Sequence, residues 1–61
     1  MNTVKYFLDN LPTFARGKKI RVLDSRTKKY IGTTAEYLFY PVTDYKITTK
    51  YIFIYVKTRG V

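Results

Sequence analysis

Seven cationic side chains fall in two short runs, Arg16, Lys18, Lys19 and Arg21, then Arg26, Lys28 and Lys29. Cations this close together attract phosphates, which need only a point charge or a guanidinium fork to be held. A second pattern lies in Tyr51-Ile52-Phe53-Ile54-Tyr55-Val56-Lys57, where aromatic and aliphatic residues alternate. In a strand, Ile52, Ile54 and Val56 share one face while Tyr51, Phe53 and Tyr55 share the other. The aliphatic face is core. Apolar residues on both faces predict a central strand whose aromatic row packs beneath a helix. Exposed, the same row would stack nucleobases, with Lys46, Lys50 and Lys57 nearby for phosphates.

Catalytic chemistry finds little support. Histidine and cysteine are absent, which excludes thiol catalysis, disulfides, Cys/His zinc sites and any histidine acid or base. Arg16-Gly17-Lys18-Lys19 lacks the upstream glycine of a nucleotide-binding loop and has Lys19 where Ser or Thr belongs. The acids Asp9, Asp24, Glu36 and Asp44 are scattered, and Ser25, the only serine, has no histidine to activate it. A ribonuclease built from Lys, Arg and Tyr is chemically feasible, but nothing singles out such a site. The expectation is a protein that is not an enzyme, with no cofactor and no metal.

These side chains must be positioned by short elements. Val4, Phe7, Leu8 and Leu11 recur at helical spacing behind Thr3, a capping residue, and Pro12 stops the pattern. This predicts a helix over about residues 3–11. Residues 13–19 form a basic connector with Gly17 as its flexible point. Ile20–Asp24 and Lys29–Ile31 read as the strands of a hairpin with a polar, basic tip, and Gly32 ends the second strand. Thr33-Thr34-Ala35-Glu36 has capping-box spacing, predicting a short helix through Tyr37, Leu38 and Phe39 that Pro41 halts. Residues 45–49 and 51–57 are β-rich and joined by a short connection, which suggests antiparallel pairing. The order α-β-β-α-β-β predicts an α+β domain spanning residues 1–61, with one antiparallel sheet of about four strands. Residues 58–61 read as a loose tail. The expected core is Val4, Phe7, Leu8, Leu11, Ile20, Val22, Leu38, Ile47, Ile52, Ile54 and Val56.

Composition narrows the class of partner. Twelve Lys/Arg against four Asp/Glu give a net charge of +8 and a pI near 9.9, while 46% of residues are hydrophobic. Such a chain can collapse around a core. A domain this small buries only about 60% of its unfolded surface, so its stability should be modest. The longest apolar run falls far short of the roughly 20 residues that span a bilayer. Met1–Tyr6 lacks the basic region and apolar stretch of a secretory signal. The chain is therefore expected in the cytoplasm of a bacterial host cell, away from membranes.

The stretch Ile20 to Val56 resembles small accessory proteins encoded by phages and prophages of Gram-positive bacteria. The similar features are the hairpin from Ile20-Arg21-Val22-Leu23-Asp24 to Tyr30-Ile31-Gly32, the Thr-rich cap Thr33-Thr34-Ala35-Glu36, and the closing run Tyr51 to Lys57. The resemblance implies a regulator or an inhibitor of a host enzyme and assigns no role to any single residue. The strong basicity sets this chain apart from the acidic DNA mimics among those proteins.

Two functions from different classes follow. In the first, nucleic acid is bound through Arg16, Lys18, Lys19, Arg21, Arg26, Lys28 and Lys29, with an exposed tyrosine stacking or orienting it. In the alternative, a host protein is bound through a tyrosine-rich surface or a sheet edge, with Tyr30, Tyr37, Tyr40 and Tyr45 as anchors. A free edge would also allow a homodimer. Seven tyrosines in 61 residues suit either function.

Overall fold

A computed structural model describes residues 3–58. Thr3 opens it with an extended backbone, and its Oγ1 accepts the Tyr6 N–H at 3.2 Å. That bond satisfies one of the unpaired donors of helix α1, Val4–Asp9. So short a helix does not hold alone. It is fixed by the buried Val4 and by two backbone bonds, from Val4 N–H to the Tyr40 carbonyl and from Lys5 N–H to the Leu38 carbonyl (3.1 and 2.8 Å). Pro12 keeps Leu11 out of the helical conformation, and a 3₁₀ turn, Thr13–Ala15, then buries Ala15. Gly17, at φ +88°, swings the chain into the sheet.

Four strands follow: β1 Lys19–Asp24, β2 Tyr30–Gly32, β3 Val42–Ile47 and β4 Tyr51–Val56, with helix α2 (Thr34–Tyr37) between β2 and β3. Their order across the sheet is β2-β1-β4-β3. Each hairpin is antiparallel, but the central pair β1/β4 is parallel, in register from Lys19↔Tyr51 to Asp24↔Val56. The α+β class is as expected, and the sheet is mixed where the sequence pattern predicts an antiparallel one. The reason is packing. β1 and β4 carry the most apolar inward faces, and placing them side by side buries both at the centre. The route through α2 then returns the chain so that β3 runs in the same direction as β2.

Val4, Ala15, Val22, Ile52, Ile54 and Val56 are completely buried, and Phe7, Leu8, Leu11, Ile20, Ile31, Tyr37, Val42 and Ile47 pack against them. Leu38, expected in the core, is only half-buried and stands outside this cluster. Because α1, the 3₁₀ turn and Tyr37 of α2 all join the cluster, they cover one and the same face of the sheet. Among the described residues no helix covers the other face. The prediction that the Tyr51/Phe53/Tyr55 row lies beneath a helix is therefore corrected. The row is half-buried by its strand neighbours alone.

The capping box expected at Thr33 is also corrected. Thr33 has the extended N-cap backbone, but its hydroxyl makes no cap bond, and the helix ends at Tyr37. The Glu36 carboxylate lies against Gly32, where an added Cβ would sit 2.7 Å from Glu36 Oε1 and 2.9 Å from Tyr37 Cε2. Gly32→Ala should accordingly cost about 1–3 kcal/mol through overpacking. Urea denaturation of this variant checks the contact, and a midpoint equal to the parent's contradicts it. Of the expected tail, Thr58 lies against the fold, its Oγ1 donating to Asp24 Oδ2 at 3.4 Å. Positions 59–61 lie outside the described residues. No described helix is long and apolar enough to cross a membrane.

Candidate functional site

The uncovered face of the sheet brings together aromatic and cationic side chains from three strands and a turn. Strand alternation puts Arg21 and Leu23 of β1 opposite the inward Ile20 and Val22. The parallel register sets Arg21 beside Phe53. The Arg21 guanidinium carbon lies 5.1 Å from the ring centroid of Tyr30 and 5.3 Å from that of Tyr51. Polar contact with the phenol of Tyr51 first, and then with that of Tyr30, raises the Arg21 pKa above its already high value. The group is a fixed cation, and its plane is held by two rings.

The rings of Tyr51 and Phe53 are nearly parallel, 21° apart with centroids 5.8 Å from each other. At the far end of the row the Lys28 ammonium stands 4.8 Å from the Tyr55 centroid. Phe53 is thus flanked by Arg21 with its two tyrosines on one side and by Lys28 with Tyr55 on the other. Arg21, Leu23, Tyr30, Tyr51 and Phe53 line a shallow recess of about 350 Å³. Lys46 of β3 pairs with Phe53 and is exposed, so it borders the same face. Asp44, which pairs with Tyr55, puts one carboxylate at the β3 margin. Its Oδ1 accepts the Tyr45 N–H at 2.8 Å.

The seven cations singled out in the sequence divide by position. Arg21, Lys28 and Lys19 belong to the face, since Lys19 pairs with Tyr51. Lys19 and Lys50 also border a second recess of about 430 Å³ at that end of the strands. Arg26 and Lys29 are exposed in the β1–β2 turn, which Asp24 shapes by accepting the Arg26 N–H at 2.9 Å. Arg16 follows the 3₁₀ turn, on the helical layer. Lys18 plays a structural part, its ammonium donating to the carbonyls of Thr48 and Thr49, both at 2.8 Å. These bonds serve a hairpin that lacks the usual glycine or asparagine, and Thr48 Oγ1 closes the turn by bonding the Tyr51 backbone.

The four tyrosines considered as protein anchors do not converge. Tyr30 is on the uncovered face, with Arg21. Tyr37 packs into the core and donates its hydroxyl to the Ile31 carbonyl at 3.3 Å. Tyr40 meets Tyr37 edge to face at 4.9 Å. Tyr45 points to the helical side, its ring 5.0 Å from that of Phe7. There it joins Tyr6, Phe7, Leu11, Phe14 and Ile47 around an apolar groove of about 320 Å³ beside β3, the outer strand.

Sequence reasoning passes over three features of the face. It does not assign Leu23 there, it treats Arg21 as one cation among seven, and it does not link Lys28 to Tyr55. The alternation Ile20/Val22 against Arg21/Leu23 holds the signal for the first two. Among the described residues no group of acidic, histidine or cysteine side chains is placed to hold a metal. The chain matches no family model, no curated protein and no solved structure.

Proposed function

We propose that this chain is a non-enzymatic, nucleic-acid-binding accessory protein of the host-cell cytoplasm, which engages its ligand with the uncovered sheet face. The observation that carries the reading is the placement of Phe53 between two cation–aromatic groups, Arg21 with Tyr30 and Tyr51, and Lys28 with Tyr55. Aromatic surface ringed by cations offers a nucleic acid both of its needs, a stacking partner and neutralised phosphates. Lys19, Lys46 and Lys50 extend the positive border, and Arg26 and Lys29 continue it into the turn. The net charge of +8 adds long-range attraction.

Mobility-shift titrations on DNA and RNA at about 50 and 200 mM salt test the reading. With about six phosphates neutralised, affinity should fall roughly 10³-fold between these conditions. No binding at the lower salt overturns the proposal.

A second reading is favoured by a different observation, the apolar groove beside the free edge of β3. Phe14 is 71% exposed and Tyr45 54% exposed there, and an unpaired outer strand accepts a strand from another chain. In this reading a host protein, or a second copy, docks on β3. Light scattering across a concentration series decides the self-association form of it, which a monomer at all concentrations removes.

A further inference from the structure

We infer that the recess around Phe53 takes an unpaired nucleobase, so that the face selects single-stranded over double-stranded nucleic acid. The inference rests on the function proposed above and specifies its ligand.

The recess walls are Arg21, Leu23, Tyr30, Tyr51 and Phe53. Apart from the guanidinium and the two phenol oxygens, these side chains are hydrocarbon or aromatic ring, a lining suited to the flat face of a base. In a duplex each base face is occupied by its stacked neighbours and only edges and phosphates are offered. A half-buried ring on a flat sheet cannot reach between stacked pairs, and Phe53 lies within the row rather than projecting as a wedge. A single strand presents base faces freely, and aromatic side chains accept them with little regard to sequence. The cations are spaced to match. Arg21 is held at one side of Phe53 and Lys28 at the end of the row beyond Tyr55, which puts a positive group on either side of a base stacked at the centre. Because Arg21 is clamped by Tyr30 and Tyr51, its donors are held ready for a phosphate and little rotamer freedom is lost on binding.

The test compares fluorescence anisotropy for a labelled single-stranded DNA of about twelve nucleotides, the RNA of the same sequence, and the DNA duplex. Phe53→Leu keeps an apolar side chain on the strand and removes the ring, and Tyr30→Leu does the same at the exposed margin, where folding is least at risk. Single strands of either sugar should bind at least about 10-fold tighter than the duplex. Both variants should lose about 5- to 10-fold or more in single-strand affinity, while duplex affinity and the salt slope stay near parental values. Equal binding of duplex and single strand, or unchanged single-strand affinity in folded variants, overturns the inference and leaves the proposed function standing. Failure of all three probes to bind at low salt removes both.

Discussion

Ile54→Ala should destabilise the domain by about 2–5 kcal/mol, the cost of deleting most of a buried side chain and leaving a cavity behind. Ile54 is completely buried, lies in central strand β4, and pairs with Val22 on one side and Tyr45 on the other. Neither neighbour can move far into the gap, because each belongs to a continuous ladder. Total stability at roughly 0.05–0.15 kcal/mol per residue comes to a few kcal/mol for a chain this short, so the substitution should remove most of it. Ile54→Val, which deletes one methylene, should cost only about 0.5–1.5 kcal/mol. Urea denaturation followed by circular dichroism measures both. An Ile54→Ala variant as stable as the parent contradicts the assignment of the aliphatic row to the core, and with it the assignment of the aromatic row to the open side.

Arg21→Met should have the largest effect on binding of any single charge removal. Methionine retains an unbranched apolar stem to pack between Tyr30 and Tyr51, while the charge and all five donors are lost. The guanidinium is the cation nearest the recess and is positioned by two rings. Its removal should weaken nucleic-acid binding about 10- to 100-fold and reduce the salt slope by about one. Stability should change little, because surface substitutions away from buried networks usually stay within about 0.5 kcal/mol. Arg16→Met is the control. It removes the same charge from the helical layer, and its effect should be limited to a few-fold loss of long-range attraction. Equal losses for the two variants mean that net charge, and not the face, governs binding.

Several elements are legible in the chain because their causes are local. The Thr3 cap, the stop before Pro12, the two hairpins and the inward row Ile52/Ile54/Val56 follow from side-chain types a few residues apart. The parallel β1/β4 pairing is not legible, since each strand's alternation fixes its faces and says nothing of its neighbour. The fate of the aromatic row turns on that same gap. Apolar residues on both faces of β4 suggest two covering layers, but Arg21 and Lys28 arrive from β1 and its turn to lie against the rings. Contacts of that kind depend on strand order, which the long intervening stretch of chain conceals. Lys18 illustrates the same limit. Within its sequence run it looks like one more phosphate ligand, whereas its partners, Thr48 and Thr49, are brought to it by the fold. Thr33 and Glu36 depart from expectation in the opposite way. Their spacing fits a capping box, but Gly32 opens room beside the strand that the Glu36 carboxylate fills instead.

The most direct measurement of where ligand engages is a two-dimensional ¹H–¹⁵N NMR titration of the intact chain with a short single-stranded oligonucleotide at low salt. Binding on the uncovered face should shift the amide signals of Arg21, Leu23, Tyr30, Tyr51, Phe53 and Tyr55, and the signal of Lys28 at the end of the row. Signals from Tyr6, Leu11 and Phe14, on the helical layer, should stay in place. Shifts concentrated on that layer and the β3 edge, or no shifts at saturating oligonucleotide, contradict a nucleic-acid site on the sheet face.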